Sequence, residues 1–189
     1  MKKQMIIGAM MLLGMTYTVS AQSVRELREL REKQRVEKSL SRACEDDDQY
    51  MAELGKATWS TANGAETRAL QNAQQRLKMR LEQTVKAVIE DLSHSSDLET
   101  ADAWDAVTIR KVNTGFQSVI NKSIGHTTKC YSDSWQNDKG QWEAEYNCKI
   151  AIEEFIKSAE AAISNDAVMR ANVGIDQFEG SFREHLKDN

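Results

Sequence analysis

The chain has 189 residues, with 25 basic side chains against 29 acidic ones, three cysteines and no proline. Its length suits one ordinary domain with a real core. Its acidic balance argues against phosphate recognition as the main role. The missing prolines suit long uninterrupted helices and argue against a many-turned sandwich.

Residues 1–21, MKKQMIIGAMMLLGMTYTVSA, have the layout of a secretory signal peptide: Lys2 and Lys3, an apolar stretch from Met5 to about Val19, then the small-residue site Val19-Ser20-Ala21. Gly8, Gly14 and Thr16 interrupt the apolar run, which disfavours a membrane anchor. No cysteine lies at the cleavage site to accept a lipid. The expectation is an exported chain without an integral membrane segment after cleavage. Losing Lys2 and Lys3 leaves 23 basic residues against 29 acids, a net charge of −6.

Residues 22–49 read as a charged helical arm and an acidic boundary. In Ser23 to Ala43 the pairs Arg28 with Glu32, Glu29 with Lys33 and Lys33 with Glu37 stand four apart, as helix-surface ion pairs do. The apolar Val24, Leu27, Leu30, Val36 and Leu40 hold no heptad, so a solvated helical arm, open to docking a partner, fits better than a sustained coiled coil. Glu45, Asp46, Asp47 and Asp48 lack the spaced ligands and the glycine of a calcium loop and read as a solvated boundary.

Residues 50–189 read as a single α+β domain. Tyr50 to Trp59, with a central glycine, fits a first strand. From Asn63-Gly64 onward Leu70, Ala73, Leu77, Leu81, Thr84 or Val85, Val88 and Leu92 recur at three and four, the stripe of a helix that covers a sheet. Ser96 with Glu99 is a capping-box pattern for a second helix. Its stripe runs through Trp104, Val107 or Thr108, Val112, Phe116, Val119 or Ile120 and Ile124 to a stop at Gly125.

Asn137-Asp138-Lys139-Gly140 has the chemistry of a three-residue hairpin loop closed by a left-handed glycine. With Asn137 opposite Gln141, Cys130 faces Cys148 at a non-hydrogen-bonded pair, where a disulfide is sterically allowed. A register with Gln136 opposite Gln141 instead puts Lys129 opposite Cys148 and abolishes that bond. Export favours the bonded form, Cys130 with Cys148, and leaves Cys44 as the unpaired thiol. Two reduced, buried thiols are the competing reading.

Trp142, Ala144, Tyr146, Cys148, Ile150 and Ile152 alternate with Gln141, Glu143, Glu145, Asn147 and Lys149, the pattern of a half-buried strand. Trp142 and Tyr146 could stack on a sugar, but a core under helices is the simpler use. Phe155 to Asn165 then reads as a short helix, Ala167 to Gly174 as a short strand and Ile175 to Leu186 as a last helix. One continuous helix from Ala167 to Leu186 is the competing reading, which Gly174 disfavours. The predicted fold is thus an antiparallel sheet with a central hairpin, covered on one face by two long helices and preceded by the arm.

The glycine-centred strand, the helix opening with Ala65, Ala69 and Ala73, the hairpin TTKCYSDSWQNDKGQWEAEYNCKIAI and the tail GIDQFEGSFREHL resemble small exported proteins of Bacteroidota. More distantly, from about Tyr50 to Leu186, the chain resembles the envelope family named after a twenty-kilodalton membrane-associated lipoprotein. That resemblance implies an α+β domain, an envelope location in the periplasm or at the outer envelope, and no catalytic residues to carry over. The lipidated cysteine of the lipoprotein members is missing here.

The function expected is an exported envelope accessory or structural protein, acting through an envelope protein partner or self-association. Neither catalysis nor a cofactor, a metal or a nucleic acid is expected. The runner-up is a small apolar-ligand or lipid-binding domain, with Trp104 and Phe116 lining its pocket. An enzyme would need paired carboxylates, Glu143 with Glu145 or Glu153 with Glu154, held in unlike environments. The chain has no phosphate-binding glycine loop, no metal-spaced His/Cys set and no nucleophile elbow. His94, His126 and His185 are scattered, with no Cys-His signature around them.

Overall fold

The computed structural model describes residues 25–39, 42–94 and 104–187. The leader reading, the Ser96–Glu99 capping pattern and Leu40 of the arm lie outside them. The chain divides into two units, Met1–Arg42 and Ala43–Asn189. Within the first, residues 25–39 are helical, and Leu27, Leu30 and Val36 stand more than half exposed.

The second unit, the body, contains β1 (Tyr50–Trp59), α1 (Ala62–His94), α2 (Ala106–Gly125), β2 (Thr128–Gln136), β3 (Trp142–Ala151), α3 (Ile152–Asn165), α4 (Ala167–Asn172) and α5 (Ile175–Lys187). The three strands form an antiparallel sheet in the order β1-β3-β2. It is an α+β fold in which helices pack on the sheet, as the alternation in β3 and the helical stripes predict. Ala167 to Gly174 is not a strand. Asp166 caps α4 through Val168 N–H and Met169 N–H, and the helix stops at Val173 and Gly174 before α5 begins. A good N-cap and helix-compatible residues outweigh the short apolar run there. The helix that carries the Val112–Phe116–Ile120 stripe starts at Ala106, where the Asp105 carboxylate accepts from Thr108 N–H at 2.6 Å.

Gly55 sets the distance between α1 and the sheet. A Cβ there would stand 2.0 Å from the Ala69 carbonyl oxygen and 2.4 Å from the Ala73 amide nitrogen, so helix and strand backbones are nearly in contact. Only small side chains fit on that part of α1: Ala65, Ala69 and Ala73 are fully buried, whereas Leu70 is only half-buried. The predicted stripe is therefore one residue off at its start and right from Ala73 to Leu92. Farther along α1, larger side chains take over. Leu77, Leu81, Val85 and Val88 meet Val112, Phe116 and Ile120 of α2 and the apolar faces of α3 and α5. Three ring contacts link Phe116 to Phe178 (4.7 Å), Phe178 to Phe182 (5.7 Å) and Phe182 to Phe155 (4.9 Å). This stack ties α2, α3 and α5 into one core.

The free edge of β1 is covered rather than left open. Ala52 N–H donates to Asp46 at 2.7 Å, and Asn72 of α1 donates to the Lys56 carbonyl at 2.8 Å. Arg80 of α1 pairs with both Asp46 (2.8 Å) and Glu53 (3.2 Å). An edge strand dressed in this way offers few free ladder groups to another chain.

Candidate functional site: the cysteine strap and the far face of the hairpin

The hairpin turns as its sequence demands. Asn137 N–H donates to the Gln141 carbonyl at 2.8 Å, Gly140 N–H donates to the Asn137 carbonyl at 3.0 Å, and Gly140 takes φ 75°, the left-handed value that favours glycine. From there the register runs Gln136 opposite Trp142 through Tyr131 opposite Asn147. Then Cys130 drops out of the ladder as a bulge, and Lys129 falls opposite Cys148. Each of the two registers read from the sequence is thus correct on one side of that bulge.

The bulge decides the cysteine pairing, and it overturns the expected Cys130–Cys148 bond. Cys130 is bonded to Cys44, with Cα atoms 5.7 Å apart, and Cys148 is the free thiol. Cys148 lies fully buried on the helix side of β3, and burial pushes its thiol up to about 11. A thiol so protonated and so enclosed packs as a small apolar side chain and is a poor nucleophile. Cys44, expected to be unpaired, instead fastens the start of the body to β2.

Asn147 reinforces the strap that follows. It is the polar member of β3 that the alternation places on the face away from the helices, yet it is 3 % exposed. Its carbonyl oxygen accepts from Cys44 N–H at 2.7 Å, and its amide donates toward the Cys44 carbonyl at 3.4 Å. Next come Asp46, bound to Ala52 N–H and Arg80, and Asp47, whose carboxylate accepts from Gln49 N–H and Tyr50 N–H, both at 2.7 Å. The acid run stays exposed, as the solvated-boundary reading expects, and its Asp46 and Asp47 also make it a hydrogen-bonded strap at the sheet's edge. A buried asparagine in a strand and an aspartate run just before one were the available signals, but neither indicates its partner without the register.

The far face of the hairpin gathers aromatic and acidic side chains. By register Tyr131, Asp133 and Trp135 of β2 share it with Glu143, Glu145 and Asn147 of β3. The opposite orientation of Ser134 is fixed by its hydroxyl, which donates to Glu66 of α1 at 2.7 Å. Asp133 stands directly opposite Glu145. Glu143 accepts from the Trp135 indole N–H at 3.1 Å and from the Asn137 amide at 2.8 Å, and Glu145 pairs with Lys56 of β1 at 2.6 Å. These two carboxylates, the first pair considered for acid–base chemistry, do lie on one face. They are engaged in cross-strand contacts on a face that is itself half-buried, with Tyr131 and Asn147 beside them buried. Glu153 pairs with Arg183 of α5, while Glu154, one position on, is exposed.

Other residues named from the sequence fall elsewhere. Trp142 and Tyr146 pack with Ala65, Ala69 and Ala144 under α1, which is the core use expected of them. Trp104 packs against the main core, and Phe116 is filled over by Phe178. Among the described residues no group of three or more His, Cys, Asp or Glu is placed to hold a metal ion, and no helix is long and apolar enough to cross a membrane.

One constellation that sequence reading missed joins Ser181, His185 and Asp91. A single Asp91 oxygen accepts from the His185 ring at 2.6 Å and from the Ser181 hydroxyl at 3.0 Å. The His185 contact, first, holds the Asp91 carboxyl below its ordinary value. The serine donates to the acid and not to the imidazole, so no base is aimed at its hydroxyl, and the group acts as a clasp between α5 and α1.

No family model, curated protein or solved structure matches this chain. The class that the geometry defines is a small α+β body whose N-terminal strap is cross-linked to its hairpin and is preceded by a charged helical unit.

Proposed function

We propose that this chain is an exported envelope accessory protein that works through protein contacts, with the segment before Ala43 as its docking element. The observation that carries the reading is the helix at 25–39, where Leu27, Leu30 and Val36 are each 54 to 55 % exposed among dense charge. Exposed apolar side chains of this size are available to a partner that covers the helix. The Cys44–Cys130 bond, two residues after Arg42, fixes the start of the body to its own sheet, so the arm leaves in sequence from a rigid point. A cross-link of this kind also suits the oxidising compartment that the leader reading implies. The resemblance to the envelope lipoprotein family belongs to the same proposal.

The test is comparative. The full chain and a variant lacking residues 25–39 are expressed in the native envelope, cross-linked, and compared by mass spectrometry. Adducts that disappear with the arm support the reading. An unchanged set of associations removes the arm as the docking element.

A further inference from the structure

Cys130 has a second partner one register step away from the one it holds. From Gln136 opposite Trp142 to Tyr131 opposite Asn147 the hairpin keeps a single register, and continuing it without a bulge places Cys130 directly opposite Cys148. Directly opposed residues of an antiparallel pair bring their Cα atoms to about 4.5–5.5 Å, inside the range that a disulfide spans. The bulge at Cys130 instead sets Lys129 opposite Cys148, and Cys130 is bonded to Cys44. One residue of register in β2 separates the two bonds.

The two bonds close loops of very different length. Cys130 and Cys148 are 18 positions apart, whereas Cys44 and Cys130 are 86 apart. Loop closure in an unfolded chain falls as the three-halves power of loop length, so the shorter loop closes about tenfold more often. That loop also contains its own organiser, the turn in which Asn137 N–H donates to the Gln141 carbonyl at 2.8 Å and Gly140 N–H to the Asn137 carbonyl at 3.0 Å. A hairpin of this kind forms in about 1–10 μs. The seat of Cys44 needs distant parts of the chain to assemble first. Its N–H donates to Asn147 at 2.7 Å, and the Asp46 that follows is held by Ala52 N–H of β1 and by Arg80 of α1.

We propose that the chain matures through a Cys130–Cys148 bond that Cys44 then displaces, so that Cys130 passes from one partner to the other and the bulge in β2 forms with the transfer. In the first step Cys130 and Cys148 give two electrons and two protons to a low-molecular-weight disulfide, which leaves as two thiols. In the second, the Cys44 thiolate attacks Cys130 Sγ, the Cys130–Cys148 bond breaks, and Cys148 departs as a thiolate that takes up a proton, so no oxidant is consumed. The end state gives the exchange its direction. Cys148 is 0 % exposed and belongs to the main core, while Cys44 is held by Asn147 on the opposite face of the sheet. A return attack would require Cys148 to ionise in apolar surroundings and the bulge to straighten, so the reverse step is closed in the folded body. This route stands whether or not the arm docks a partner.

Oxidative refolding tests it. The reduced, denatured chain is diluted into a mixture of reduced and oxidised glutathione, samples are quenched with acid at intervals, and their bonds are located by non-reducing peptide mapping. In the earliest samples the Cys130–Cys148 bond is expected to exceed the Cys44–Cys130 bond about tenfold, as the loop lengths require, and then to decay as the Cys44–Cys130 bond rises. Cys44→Ser is expected to stop at Cys130–Cys148, and Cys148→Ser to form Cys44–Cys130 with no earlier bond. A wild type in which Cys44–Cys130 leads from the first sample overturns the proposal. So does a Cys44→Ser chain whose Cys130 and Cys148 stay reduced in the same buffer, or a wild-type Cys130–Cys148 bond that persists while the native circular dichroism returns. The wild-type time course carries the test alone if either serine variant fails to fold.

Discussion

Replacing Gly55 by alanine adds a single methyl group at the place where α1 comes nearest the sheet. That methyl would sit 2.0 Å from the Ala69 carbonyl oxygen, 2.4 Å from the Ala73 amide nitrogen and 3.0 Å from the Ala73 Cα. All three are backbone atoms of α1, so no side-chain rotation can relieve the contact, and the helix must move by about 1.5 Å to restore ordinary van der Waals spacing. Such a movement would lift Ala65 and Ala69 from Ala144 and open the small-residue cluster. Overpacking of this kind costs about 1–3 kcal/mol, and a rigid obstacle belongs at the upper end. Against it stands a gain of about 0.5–1 kcal/mol, because alanine has less freedom than glycine in the unfolded chain. The net expectation is a loss of about 2 kcal/mol, read as a fall in midpoint of about 4–8 °C in thermal unfolding followed by circular dichroism. Gly180→Ala is the paired control: nothing lies within 4 Å of its added Cβ, and it occupies the interior of α5. That change is expected to stabilise by about 0.5–1 kcal/mol. A Gly55→Ala protein that melts at or above the wild-type temperature would refute the close approach of α1 to β1.

Three further outcomes follow. Breaking the Cys44–Cys130 bond by Cys44→Ser releases a cross-link spanning 86 residues and is expected to cost about 2–5 kcal/mol in denaturant unfolding, while the same change at Cys148 leaves the cross-link intact by non-reducing peptide mapping. Alkylation of the native protein without reductant should leave Cys148 unmodified for as long as the body stays folded, and labelling at the unfolded-thiol rate would contradict its burial. Asp91 has a folded-state pKa below its ordinary value of 3.8, so the clasp contributes above that value and is lost as pH falls through the lower folded one. Asp91→Asn should therefore flatten the acid limb of a stability–pH profile, and an unchanged limb would remove the clasp from the account.

The elements legible in the sequence were those with strong local period or turn chemistry. β3, α1 from Ala73, the α2 stripe and the Asn137–Gly140 turn all follow from residues that agree with their neighbours. What was not legible depends on single-residue geometry or on partners distant in the chain. The bulge at Cys130 shifts one register by one residue, which is enough to exchange the partner of a cysteine, and no local pattern in β2 marks it. The strap went unread for the same reason: Asn147 and Asp46 are ordinary polar residues until Cys44 and Arg80, 103 and 34 positions away, are brought against them. Ala167 to Asn172 was misread because six residues are too few to show a period, so its cap at Asp166 decided the helix. The far face of the hairpin was visible as alternating polar residues, but its aromatic and acidic grouping needs the pairing of β2 with β3.

The most direct test of the central claim places a photo-cross-linking amino acid at Leu30 of the arm and, separately, at the exposed Met79 of the body, in protein made in its native cells. The account predicts discrete adducts from Leu30 and none from Met79, with the Leu30 adducts lost on charge reversal of Arg31, Arg35 and Lys38. Adducts from Met79 with none from Leu30 would mean that the chain meets its partners through the body, and the arm would lose its role.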